Sequence, residues 1–165
     1  MPNHIRVCRD ADLSSTLDII NAAAEAYRGV IPDDRWHDPY MPDAELRAEI
    51  AGGARFWGFE SDGQLLGVMA IQPVRDVDLI RHAYVRPGAQ RRGVGAALLE
   101  HLRGMSTRQM LVGTWAAAHW AIAFYQRHGF ELVSPVRRDE LLSAYWSIPQ
   151  RQVETSVVLA NPPWD

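Results

Sequence analysis

Six consecutive residues, Gln90-Arg91-Arg92-Gly93-Val94-Gly95, stand where an apolar, strand-like run gives way to a helical one. A helix that begins just after two glycines turns free backbone N–H groups toward whatever lies above its first turn, and its dipole adds partial positive charge there. Gly93 and Gly95 lack a β-carbon, so a ligand can approach the main chain closely. Arg91 and Arg92 bring positive charge alongside. The chemistry that fits is capture of a phosphate or diphosphate. Two other glycine loops fit less well. A P-loop requires Gly-Lys-Ser/Thr, and no lysine follows here. A dinucleotide fingerprint requires a third small residue where Leu98 stands, and an acid on the next strand, which Gln109 to Val112 do not supply. The plainest alternative is a glycine turn flanked by two solvated arginines.

The neighbouring elements must hold that loop in place. Residues 77–85 are rich in apolar and β-branched types and read as a strand. Arg86-Pro87-Gly88 breaks it, since proline has no N–H for a ladder. Val94, Ala97, Leu98 and Leu102 share one face of the following helix, with Gly104 as its expected stop. Before this unit, residues 5–9 read as a short strand. A helix capped by Asp10 or Asp12 follows, with Leu13, Leu17, Ile20, Ala24 and Tyr27 on one stripe. A Pro- and Asp-rich loop leads to a second helix capped by Asp43, carrying Leu46 and Ile50 and ended by Gly52-Gly53. Residues 55–60 and 65–74 read as strands joined at Asp62-Gly63, a hairpin signal. After the loop–helix unit come a strand at 110–115, a helix at 118–128 stopped by Gly129, a strand at 130–133, a short helix at 139–146 and a last strand at 152–159. The order is βααβββαβαββ, which argues an α+β (mixed α/β) fold around one central sheet.

The chain's 165 residues suit a single domain spanning 1–165. It is 47% hydrophobic and 22% charged, ordinary for a globular protein. With 17 basic and 20 acidic residues the net charge is −3, so no global basic field exists to hold nucleic acid. No apolar run approaches a membrane span, and the first residues lack the apolar core of a signal peptide. A cytoplasmic location is expected. Cys8, the single cysteine, excludes an internal disulfide and reads as a small buried hydrophobe. His4, His37, His82, His101, His119 and His128 are scattered without ligand spacing, so no metal site is expected.

Gln90-x-x-Gly93-x-Gly95, after a strand ending Ala83-Tyr84-Val85-Arg86-Pro87, resembles the coenzyme A site of the GCN5-related N-acetyltransferases, the GNAT superfamily. Residues 120–130, WAIAFYQRHGF, are similar to that family's fourth-helix signature, Ala-x-x-Phe-Tyr-x-x-x-Gly-Phe. The element order agrees with the family over most of the chain. The resemblance implies a central twisted, mostly antiparallel sheet flanked by helices. It implies that the main chain of Ala83, Tyr84 and Val85 holds the pantetheine arm of acetyl-CoA between two splayed central strands. Gln90, Arg91, Arg92, Gly93, Val94, Gly95 and Ala96 would hold its pyrophosphate. Tyr125 would give a proton to the leaving thiolate, as a phenol with an ordinary pKa of about 10 can. The implied activity is transfer of an acetyl group from acetyl-CoA, a co-substrate, to a primary amine by direct attack. A non-catalytic acyl-CoA-binding or regulatory module is the alternative, and a Rossmann-like nucleotide enzyme a third reading.

Two departures from the family bear on mechanism. Ala118 replaces an asparagine common in relatives. The strand positions where relatives carry a glutamate or histidine base are Leu79, Arg81 and Gly113 here. Alternation sends Asp78 and His82 to the opposite face unless a bulge intervenes. That leaves Glu25, Asp33, Asp34, His37, His119 or bulk water as routes for the amine's proton. Tyr27, Trp36, Tyr40, Tyr145 and Trp146 fall in segments expected to build the acceptor site, and such a lining favours a compact, partly apolar small-molecule amine. Asp33-Asp34 could attract a cationic amine, although a solvated turn is the simpler reading. Relatives often dimerise, so a homodimer is one open arrangement.

Overall fold

The computed structural model describes residues 3–164. Its strands are β1 (His4–Val7), β2 (Arg55–Ser61), β3 (Gln64–Val74), β4 (Val77–Val85), β5 (Gln109–Trp115), β6 (Glu131–Leu132) and β7 (Ser156–Asn161). Its helices are α1 (Leu13–Ala24), α2 (Asp43–Ala51), α3 (Val94–Met105), α4 (His119–Arg127), α5 (Pro135–Tyr145) and α6 (Gln150–Glu154). The strands form one sheet in the order β1-β2-β3-β4-β5-β7-β6, antiparallel at every pairing except β4 with β5. Asp62 and Gly63 both take positive φ, 51° and 81°, which is what a two-residue turn matched to strand twist requires.

Burial on both faces holds the sheet. On one face Leu98, Leu99 and Leu102 of α3, with Phe130, pack on Met69, Ile71, Ile80 and Val112. The other face carries two clusters side by side. Ile19, Ile20 and Leu46 of α1 and α2 cover Phe56, Val68 and Ala70. Leu141, Leu142 and Val153 of α5 and α6 cover Leu79, Leu111, Val158 and Ala160. Each fully buried aliphatic side chain here contributes about 1.5–3 kcal/mol relative to exposure.

Two irregularities interrupt the sheet at its centre. The parallel ladder between β4 and β5 runs from Val77↔Gln109 to Ile80↔Val112 and stops, although the strands continue to Val85 and Trp115. Beyond Ile80 they diverge. Against β3, the register passes from Ala70↔Arg81 to Val68↔Tyr84, so β4 spends one more residue than its partner. That β-bulge sits at His82, whose φ is +52°.

The C-terminal third differs from the expected order. Two helices, α5 and α6, lie between β6 and β7 where one short helix was expected. Ser134 caps α5, its hydroxyl accepting the Arg137 N–H at 3.2 Å, and Pro135 occupies the first helical position, so the helix starts well before residue 139. Residues 150–154 are helical after Pro149, and the last strand begins at Ser156 rather than residue 152. Gly104 does not stop α3, which continues through Met105. Ile50 is exposed rather than sharing the buried face of Leu46.

Candidate active site

A cleft of about 460 Å³ opens where β4 and β5 part. Its walls are Ala83, Tyr84 and Val85 at the end of β4, then Ala89 to Arg91 and Gly93, the first turn of α3, and Trp120, Phe124, Tyr125, Arg127 and His128 of α4 and its end. Gly93 is the N-cap of α3 at φ +78°, a left-handed conformation that strains any residue with a β-carbon. Arg91 is also left-handed, at φ 67°. The first amide to bond back within the helix is that of Ala97, to the Gly93 carbonyl at 2.9 Å. The N–H groups of Val94, Gly95 and Ala96 therefore stand outside the helical ladder, available to an acceptor in the cleft. A β-carbon at Gly95 would meet the Phe124 ring at 3.4 Å, so that glycine serves helix packing rather than ligand approach. Val94 turns its side chain into the core and offers only main chain to the cleft. Of the ten residues expected to hold the cofactor, all but Arg92 line this cleft.

A second, smaller cavity of about 160 Å³ lies on the other side of the strand gap, between α1 and the α5–α6 segment. Tyr27, Tyr40, Trp115 and Trp146 supply its aromatic walls, and Arg81, His82, Thr114, Gln152 and Ser156 its polar ones. Gly113 makes room for the Trp146 indole, whose Cζ2 would stand 3.3 Å from a β-carbon there. The β4 bulge matters most here. It keeps Arg81, His82 and Tyr84 on one face of the sheet, where strict alternation would turn His82 away. The His82 ring stacks on Phe56 at 5.7 Å, and its Nε2 lies 2.7 Å from Glu49 Oε2. Both of those atoms are buried and neither makes a hydrogen bond of regular geometry among the described residues, so this close contact is what compensates their burial. The other Glu49 oxygen accepts from Arg81 Nη2 at 2.7 Å. Burial alone would raise the Glu49 pKa, but the close approach of His82 and the charge and hydrogen bond of Arg81 outweigh it and hold the carboxyl below its ordinary value. An ionised Glu49 suits a His82 Nε2–H turned toward it, an arrangement in which Nδ1 is the ring nitrogen left for a substrate.

The two cavities share Tyr27, Ala83, Tyr84, Ala121 and Tyr125. Tyr125 is 5% exposed and packs edge-on against Phe124 and Phe130. Burial raises its pKa well above 10.0, so the phenol stays protonated. Tyr27 is pushed up to about 12 by burial, and burial also raises Tyr84, whose ring meets that of Tyr27 edge-on at 6.3 Å. Trp115 Nε1 donates to the Tyr40 hydroxyl at 3.2 Å.

The remaining sequence candidates lie elsewhere. Glu25 pairs with Arg28 and Asp34 with Arg151, all exposed. Asp33, His37 and His119 are exposed too, and none of these five lines either cavity. Asp78 is buried on the α3 face, accepting from Ser106 Oγ at 2.6 Å. Tyr145 donates to Asp76 at 2.6 Å, away from the pocket, and Trp36 packs behind Tyr40 without reaching the lining. Ala118 is fully buried beside Ile31 and Trp115. No cluster with metal-ligand potential occurs among the described residues, and no helix there is long and apolar enough to cross a membrane.

Comparison with known proteins agrees with this geometry. Residues 52–132 match the family model of an acetyltransferase (GNAT) domain. Over 153 residues, 92% of this chain and 99% of the relative, the sequence is 29% identical to peptidyl-lysine N-acetyltransferase YiaC of Escherichia coli (strain K12). It spans only 34% and 46% of two longer curated relatives. Among solved structures, PaiA N-acetyltransferase of Thermoplasma acidophilum in complex with coenzyme A superposes with a TM-score of 0.74 at 14% identity, covering 97% of this chain and 98% of that one. A GNAT family acetyltransferase of Brucella melitensis in complex with acetyl-CoA gives 0.58 at 25% identity, covering 79% and 83%. The chain is thus similar to the GNAT superfamily in sequence over residues 52–132 and in fold over nearly its whole length. Within that class it is a GNAT-type N-acetyltransferase.

Proposed function

We propose that the protein transfers the acetyl group of acetyl-CoA to the primary amine of a small molecule by direct attack, with His82 as base and Tyr125 as acid. The supporting observation is the meeting of the two cavities at Tyr27, Ala83, Tyr84, Ala121 and Tyr125. The larger cavity suits a long donor with a diphosphate. Its α3 amides and Arg91 answer the diphosphate, and the edge of β4 released from β5 answers the amides of the pantetheine arm. The smaller cavity suits the acceptor, and its volume is close to that of a cavity that takes up benzene. YiaC is named for lysine in peptides. The small pocket here, with Tyr27, Tyr40, Trp115 and Trp146 among its walls, favours a compact amine instead.

Acetyl-CoA supplies an activated acyl group. His82 Nδ1 accepts a proton from the amine nitrogen as the C–N bond forms, while Glu49 holds the ring in the tautomer that leaves Nδ1 basic. Tyr125 gives its proton to the sulfur as the C–S bond breaks. The proton gained at His82 and the one lost at Tyr125 balance, and exchange with water resets both. An N–H of the splayed part of β4 can polarise the carbonyl oxygen, and the walls position the two reactants. The strand positions where relatives carry a base hold Leu79, Arg81 and Gly113 here, which favoured a non-catalytic module; the His82–Glu49 pair supports the catalytic reading instead.

The test is coenzyme A release across a panel of amines, with Tyr125→Phe and His82→Ala beside the parent. Both variants are expected to lose turnover by about a hundredfold or more while binding acetyl-CoA as before. Parental turnover in His82→Ala would remove the base assignment. Binding of acetyl-CoA with no release on any amine would favour the module.

A further inference from the structure

Resting on the transferase reading above, we propose that the acceptor is an α-amino acid with a compact, flat or branched apolar side chain. Its carboxylate is taken by Arg81 and its amine by His82. Three observations carry this. First, the bulge sets a cation and a base on consecutive residues of one sheet face, both held by the same Glu49 carboxylate. A molecule whose amine and carboxylate share one carbon matches a guanidinium and an imidazole placed side by side.

Second, Arg81 has donors to spare. Its Nη1 donates to Gln72 Oε1 at 2.9 Å and its Nη2 to Glu49 Oε1 at 2.7 Å, which uses two of five N–H groups. Arg81 lines the pocket, and none of its nitrogens is buried without a partner. The remaining donors can bind a carboxylate in the charge-assisted geometry that guanidinium groups favour.

Third, the pocket lining contains no Asp or Glu. A long side-chain ammonium, such as that of lysine or a polyamine, would find no counter-charge where it had to be buried, and would meet Arg81 instead. An apolar side chain finds Trp115, Trp146, Tyr40 and Leu142. The volume of about 160 Å³, which the amine and carboxylate must share, limits that side chain to at most roughly the size of a benzene ring.

The experiment compares matched pairs that differ only in the carboxylate, phenylalanine with phenethylamine and valine with isobutylamine. A lysine-containing peptide with a blocked N-terminus is the third arm. Coenzyme A release is followed and products are weighed by mass spectrometry. Each amino acid is expected to exceed its decarboxylated partner in kcat/KM by about ten- to a hundredfold, the range of one or two charge-assisted hydrogen bonds. Arg81→Gln should bring that ratio close to one with acetyl-CoA affinity unchanged, and Arg81→Lys should keep part of it. Equal or better use of the decarboxylated amines, or preferred use of the peptide lysine, overturns the proposal and leaves the transferase reading standing. Absence of release on every amine, with acetyl-CoA bound, overturns both. Should Arg81→Gln fail to fold, the matched pairs on the parent protein decide alone.

Discussion

The larger cleft and the smaller pocket share five residues and are built by opposite means. The cleft comes largely from one stretch of chain, Ala83 to Ala96, and presents mostly main chain: strand edges released beyond Ile80 and three amides ahead of Ala97. The pocket draws side chains from the turn and loop after α1, from β4, β5 and α4, and from the α5–α6 segment. A main-chain site depends on where the backbone goes, and glycines and helix starts announce that locally. A side-chain site depends on which faces are brought together, and that is decided by packing far away in sequence. The cleft therefore tolerates many side-chain changes, whereas the pocket should be sensitive to single ones.

The largest effects should come from the pocket side of the shared wall. Beyond the Tyr125→Phe and His82→Ala losses, the two residues should differ in partner dependence. Glu49→Gln should lower turnover by about tenfold, less than loss of the ring itself, because glutamine still accepts or donates one hydrogen bond but no longer imposes the tautomer on His82. A Glu49→Gln enzyme with parental turnover and pH profile would mean that Glu49 merely anchors Arg81.

A cleft variant should show the opposite signature. Gly93→Ala forces a β-carbon into the left-handed region at φ +78°, a strain of about 1–2 kcal/mol, although open space surrounds the site. The α3 amides would shift, and acetyl-CoA affinity should fall by about tenfold with the KM for the amine little changed. Calorimetric titration of acetyl-CoA checks this. If the amine KM rose instead, the division between main-chain and side-chain sites would not hold.

How much could be read in advance follows the same division. The Gln90-to-Gly95 loop, the Pro87 break and the Phe124-Tyr125 pair were legible because their meaning lies in spacing along the chain. The interruption of the β4–β5 ladder followed from the family resemblance. His82 was not legible. Nothing in Arg81-His82-Ala83 marks a bulge, since no glycine occupies the position that takes φ +52°. Its partner Glu49 sits on α2, where the periodic signal drew attention to Leu46 and Ile50. Trp146 lines the smaller cavity, whereas Tyr145 does not, because one helical step turns it toward Asp76. Helix α6 was read as strand, its Pro149 start being outweighed by the apolar residues that follow.

A smaller effect tests the proton inventory of the junction. An exposed phenol would be half ionised at its ordinary value of 10.0, and an acid catalyst of that kind would fail on approaching it. Burial raises the pKa of Tyr125 well beyond that point and pushes Tyr27 up to about 12. The protonated, donating form of both is therefore present below their raised values and lost only as pH rises through them. Turnover at saturating amine should hold level from about pH 8 to 10 rather than fall by half. A decline centred near 10 would show that the junction is wetter than its packing implies, and that the two cavities meet through solvent rather than through a closed wall of phenols.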